Sequence, residues 1–119
     1  IREINTRDGI ETSLHGGFTR PPKLRTAALE SLIGSISECR DLLGMDFAWE
    51  DTCGCCDGNN LAAAGLPNID NLGVAGANIH SHQEYKNIPS FVPRAQLSAL
   101  LLMRLASDDT PWPVKETLG

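Results

Sequence analysis

No block of basic residues occurs anywhere in this 119-residue chain. Lys and Arg number 10 against 15 Asp and Glu, mixed along the sequence, for a formal charge of -5. Such a chain lacks the electrostatic footprint of a nucleic-acid binder, so nucleic acid is excluded as an expected partner. Long apolar runs are missing as well. The longest, Leu97 to Met103, is interrupted by Ser98 and stopped by Arg104, far short of the roughly 20 residues that a membrane-crossing helix needs. There is no internal repeat and no low-complexity tract. The four cysteines lack the dispersed spacing of a disulfide-stapled domain, because Cys53, Cys55 and Cys56 crowd together while Cys39 stands apart. Reduced thiols and a cytoplasmic location are the expectation. The chain opens Ile1-Arg2-Glu3, without an initiator Met or a leader pattern, which suggests a processed product or a fragment.

What is present is the composition of a folded, loop-containing domain: 41% hydrophobic, 21% charged, with 11 Gly and 7 Pro. Residues 4 to 14 alternate loosely around Asp8-Gly9, a hairpin signal. The run from His15 to Pro22 holds two glycines and two prolines and reads as a strand end followed by an extended linker. Leu29, Leu32, Ile33, Ile36 and Leu43 then recur at helical spacing behind a capping Thr26 and ahead of Gly44, which predicts a helix over Ala27 to Leu43. A strand is expected over Asp46 to Glu50, a loop over Asp51 to Gly58, and a small-residue helix over Asn60 to Ala64. A second strand is expected over Pro67 to Leu72, followed by a glycine-rich loop to Glu84. The last helix is capped by Ser90, tolerates Pro93 in its first turn and buries Leu97, Leu100, Leu101 and Leu105. The alternation predicts an α/β layer with helices covering a mostly parallel sheet, part of which is missing, since two or three strands make no stable open sheet.

Three loops carry candidate chemistry, each at the end of an expected strand, where α/β proteins place ligands. Arg20, fixed between two glycines and two prolines, suits bidentate capture of a carboxylate, and equally suits a surface linker. The turn Thr52-Cys53-Gly54-Cys55-Cys56-Asp57-Gly58-Asn59 presents backbone N–H groups to an anion, with Asp57 also placed to cap the following helix. The same turn admits a thiolate zinc site if further ligands reach it. In the third loop, His80, His82 and Glu84 are potential metal ligands. The two histidines point to opposite sides of an extended segment, so a single one would bind a given ion.

The motifs Asp57-Gly58-Asn59-Asn60-Leu61-Ala62-Ala63-Ala64-Gly65-Leu66-Pro67, Asp70-Asn71-Leu72-Gly73 and Asn78-Ile79-His80-Ser81 closely resemble the C-terminal end of the zinc-dependent aminoacylase/carboxypeptidase family. That family includes glutamate carboxypeptidase, acetylornithine deacetylase and succinyl-diaminopimelate desuccinylase. The stretch from His15 to Pro22 resembles the junction where the family's lid domain returns to the catalytic domain, and Arg94 to Leu102 is similar to its closing helix. The resemblance runs in order from about residue 3 to 107. It implies an α/β fold: residues 22-119 as the C-terminal part of a three-layer sandwich catalytic domain, and 1-21 as the last strands of an inserted α+β lid that dimerises.

By the same resemblance the whole enzyme carries two zinc ions and cleaves an amide or peptide bond beside a free carboxylate, in a small N-acyl amino acid or peptide. His80 matches the last metal ligand, Arg20 the arginine that holds the substrate carboxylate, and Gly54, Asp57 and Asn59 the loop on the carboxylate side of the pocket. The general-base glutamate, the bridging aspartate and the other ligands belong to the family's N-terminal part, so this chain by itself is expected to be inactive. It departs from the family pattern, which has glycine where Cys53 stands, Arg-Gly-Gly where this chain has Ala75-Gly76-Ala77, and aspartate or serine where His82 stands. These departures admit a non-catalytic association module of the same ancestry, and the cysteines admit a cysteine-cluster zinc module.

Overall fold

The computed structural model describes residues 8–114. Helix α1 spans Ala27–Leu42, and Thr26 caps it by accepting the Leu29 N–H at 3.2 Å. Its C-terminus turns through Gly44, whose φ of 62° is the left-handed conformation in which glycine carries no Cβ penalty. Helix α2 spans Asp57–Ala63, β1 Gly76–Ala77, β2 Tyr85–Lys86 and α3 Phe91–Ala106, the last entered through a 3₁₀ turn at Ile88–Ser90.

The core is where α1 meets α3. Ile36, Cys39 and Leu97 are fully buried, and Leu32, Met45, Phe47, Trp49, Ile69, Leu72, Leu100 and Leu101 pack around them. Leu29, Ile36 and Cys39 lie seven and three positions apart, which stacks them on one helical face. Polar bonds fix the register of the pair. Arg104 donates to Glu38 at 2.9 Å and to the buried Thr110 at 3.1 Å, while the Trp49 indole donates to Ser37 at 2.9 Å.

The expected strands at 46–50 and 67–72 join no sheet among the described residues. Met45, Phe47 and Trp49 nonetheless face the core while Asp46, Ala48 and Glu50 are exposed, the period-two burial of a strand without its hydrogen-bonded neighbour. The sheet that does form is the antiparallel pair β1–β2, with Gly76 opposite Lys86 and Ala77 opposite Tyr85. It lies within and just after the stretch expected to be a glycine-rich loop. Two strands of two residues are too little sheet to define a layer, and the three-layer sandwich stays an expectation. The hairpin expected over 4 to 14 lies partly outside the described residues; Asp8 and Gly9 do form a turn, with Gly9 at a φ of 77°. The same holds for the expected lid segment 1-21.

Ser90 occupies the N-cap position of α3 without capping it. The third helical residue is Pro93, which has no N–H to offer a cap. The Ser90 hydroxyl instead accepts the Ala75 N–H at 2.9 Å and donates to the Asn87 carbonyl at 2.6 Å, tying the start of α3 to the approach to β1.

The molecule is open. Its extents are 66 × 43 × 17 Å and its radius of gyration 19.8 Å, against roughly 13–14 Å for a compact domain of this length. The accessible surface of 9329 Å² is about half as much again as the roughly 6,300 Å² expected for a folded monomer of this mass.

Candidate functional site

The linker 20–23 and the N-terminus of α2 are drawn together by side-chain bonds that span more than 35 positions of sequence. Arg20 pairs with Asp57 at 2.9 Å. Asn59, buried, donates from its amide to the Pro21 carbonyl at 3.0 Å. Its amide oxygen accepts the Cys56 N–H at 3.0 Å while the Cys56 thiol accepts the Gly58 N–H at 3.2 Å, a reciprocal capping box. Three residues expected on the substrate side, Arg20, Asp57 and Asn59, therefore lie in one place. Gly54 lies in the same turn, where its N–H donates to Thr52 at 3.2 Å.

Two of these residues have local jobs that differ from the sequence reading. Helix α2 begins three residues earlier than expected, so Asp57 is its first residue and Cys56 is the cap. The Asp57 carboxylate stabilises the helix N-terminus by charge and engages Arg20. Asn59 is occupied on both sides of its amide by Cys56 and Pro21, which fixes the linker against α2.

Beneath this pair lies a cluster that the sequence reading did not assemble. The Cys56 thiol donates to Asp70 at 2.6 Å, and the Lys23 ammonium bonds the same carboxylate oxygen at 2.8 Å. Asn68 donates to the Gly58 carbonyl at 3.0 Å. The hydrogen bond from Cys56, then that from Lys23, hold the Asp70 carboxyl below the usual carboxylate range against the opposing effect of partial burial. Gly58 makes the gathering possible. A Cβ there would stand 2.5 Å from the Asn68 amide oxygen, 3.0 Å from Asp70 Oδ2 and 3.1 Å from the Cys56 sulfur. Lys23 and Asp70 are 47 positions apart, and no local pattern in the sequence announces such a pair. The one available signal was a polar side chain at position 56, just before the helix.

An apolar cleft of about 190 Å³ adjoins the cluster, lined among others by Pro21, Pro22, Leu24, Leu29, Leu66 and Pro67. It is smaller than the ~300 Å³ at which small-molecule pockets begin, and it suits one side chain rather than a whole ligand.

His80 lies in the turn between β1 and β2, exposed, with a φ of 66°. Asn78 in the same turn is also left-handed, at 59°. Ser81 donates to the Asn78 carbonyl at 2.8 Å and accepts the Gln83 N–H at 3.1 Å, so the turn is braced internally. Ala75 and Ala77 are not among the left-handed residues. The glycine that the loop requires is Gly76, where a Cβ would drive into the Tyr85 carbonyl across the strand pair.

Among the described residues no three His, Cys, Asp or Glu side chains converge on a point where a metal could sit. Cys53 and Cys55 are exposed, and Cys56 is turned onto Asp70. A catalytic zinc takes about three protein ligands. His80 alone does not hold one.

No family model matches the chain, and no curated protein or solved structure matches it either. Among the described residues, no helix is long and apolar enough to cross a membrane.

Proposed function

We propose that this chain is the C-terminal portion of a di-zinc hydrolase that cleaves an amide or peptide bond beside a free carboxylate, of the carboxypeptidase or deacylase type. The observation that carries the reading is the junction of the 20–23 linker with the α2 turn. It gathers Arg20, Asp57 and Asn59, residues from two separate motifs that the resemblance assigns to one side of a substrate pocket. In this reading Arg20 exchanges its exposed partner Asp57 for the substrate carboxylate, a planar bidentate contact suited to guanidinium. His80 supplies one zinc ligand from the β1–β2 turn, and the remaining ligands and the general base come from outside this chain. The substrate is a small N-acyl amino acid or peptide, the location cytoplasmic and the assembly a homo-oligomer.

The test is hydrolysis of N-acyl amino acids by this chain joined to a segment that supplies the upstream ligands. The expected outcome is activity that a chelator removes and zinc restores, lost on His80→Ala and retained on Cys55→Ser. Neutralising the substrate carboxylate as a methyl ester should raise KM, as should Arg20→Ala. Absence of hydrolysis at every zinc concentration would leave the non-catalytic association module as the reading. Zinc binding that is lost on Cys55→Ser and indifferent to His80→Ala would instead establish the cysteine-cluster module.

A further inference from the structure

Helix α3 is apolar on two sides. One side, through Leu97, Leu100, Leu101 and Leu105, packs on α1 and its surroundings. On the other, Val92, Ala95, Ala99, Leu102, Met103 and Ala106 are all exposed. At ~100° per residue these six fall within an arc about 100° wide, roughly opposite the buried face. The large ones are open to solvent, Val92 at 66%, Leu102 at 61% and Met103 at 68%. A helix apolar on both sides is ordinarily covered on both.

We propose that the open face of α3 is an interface that takes a second copy of this chain, with the two α3 helices antiparallel about a two-fold axis at Ala99. The size pattern of the stripe is self-complementary under that operation. Position 92 falls opposite 106, so Val92 faces Ala106. Position 95 falls opposite 103, so Ala95 faces Met103. Ala99 faces its own copy, where two methyl groups let the backbones approach closely. Leu102 falls opposite Gln96 and packs over its methylenes and the neighbouring alanines. Every large side chain meets a small or flexible one, as an isologous contact requires.

Charge agrees with the same arrangement. The antiparallel pairing brings the C-terminal end of one α3 to the N-terminal end of the other, with opposed helix dipoles. Asp108 and Asp109 follow the C-terminus of α3. At the N-terminal end stands Lys86, its ammonium 5.5 Å over the Phe91 ring and in no ion pair among the described residues. Two copies therefore set Lys86 near the acidic pair at both ends of the interface. The proposal does not use the catalytic reading, under which the upstream part of the same domain is the competing occupant of this face.

The experiment is sedimentation equilibrium of this chain, alone and as variants, with oxidative cross-linking. The expected result is a dimer that Ala99→Arg converts to a monomer of unchanged helical content. Lys86→Glu should raise the dissociation constant about tenfold, and adding Asp108→Lys and Asp109→Lys should recover most of that loss. In a Cys53→Ser, Cys55→Ser background, Ala99→Cys should form a disulfide dimer under mild oxidation, because the axis brings position 99 against itself. A chain that stays monomeric at all concentrations would overturn the proposal. So would a dimer that tolerates Ala99→Arg, or one in which Ala99→Cys fails to cross-link, since either places the contact on another face.

Discussion

The two halves of this molecule are held by different forces. In the helical half, α1 and α3 bury Leu29, Ile36, Cys39, Leu97 and Leu105, which are all of the buried apolar side chains among the described residues. In the half built from the 20–23 linker, the α2 turn and residues 68–70, the buried side chain is Asn59. Order there comes from Arg20–Asp57, Lys23–Asp70–Cys56, Asn59–Pro21 and Asn68–Gly58. Apolar burial is non-directional and tolerates small displacements, whereas hydrogen bonds demand particular atoms at particular distances. The first half is therefore specified by periodicity and the second by identity, so a substitution should act differently in each.

The largest expected effect lies in the helical half. Leu97 is fully buried between the helices, and Leu97→Ala removes about 2–5 kcal/mol by lost transfer energy and the cavity left behind. Few side chains are fully buried here, and small domains have only ~5–15 kcal/mol in all. The urea midpoint should collapse and the folded baseline shorten or vanish. A midpoint within experimental error of the parent's would mean that the α1–α3 contact does not hold the fold together.

This division also explains what the sequence could reveal. Helix α1 was legible to within one residue because Thr26, the leucine and isoleucine spacing and Gly44 all point to the same ends. The face of α3 around Leu97 and Leu105 was legible for the same reason. Residues 46–50 were legible as alternating burial but not as a ladder, because pairing depends on a partner strand and the pattern does not contain one. The start of α2 was misplaced, since sulfur is a weak acceptor and Cys56 gives a fainter cap signal than Asp57. Arg20 was singled out by its loop, Asp57 and Asn59 as a substrate-side pair only by the family resemblance, and the structure brings the three together. Asp70 and Lys23 went unremarked as a pair because nothing short of folding makes residues 47 apart into neighbours.

Glycine gives a sharper form of the comparison, because the same substitution should change sign between the halves. Gly58→Ala places a methyl against Asn68, Asp70 and Cys56. Displacing that network should destabilise by about 1–3 kcal/mol, the range for overpacking. Gly34 lies inside α1 with nothing within 4 Å of a built Cβ. Gly34→Ala should stabilise by about 0.5–1 kcal/mol, because alanine surrenders less backbone entropy in a helix. Thermal melts of the two variants decide the matter. Equal shifts in the same direction would show that the polar half is loose enough to absorb a methyl, and would erase the distinction drawn between the halves.

The smallest effect is also the most selective, because the halves should fail at opposite ends of the pH scale. Asp70 in the polar half has its carboxyl held low by the Cys56 and Lys23 hydrogen bonds. A depressed acid contributes stability above its ordinary value near ~3.9 and loses it as pH falls through the lower folded value. Cys39 in the core has its thiol pushed up by burial first, with Glu38 adding and Arg104 opposing. A raised group contributes stability below its ordinary value near ~8.5 and loses it as pH rises through the higher folded value. Asp70→Asn should therefore flatten the acid limb of the urea midpoint against pH and leave the alkaline limb alone. Cys39→Ala should flatten the alkaline limb alone, after allowance for a uniform loss from the smaller side chain. If Asp70→Asn altered the alkaline limb as well, its carboxylate would be interacting with a group that ionises there, and the division between the polar cluster and the helix pair, which meet where the buried Leu29 of α1 lines the cleft beside Lys23, would fail.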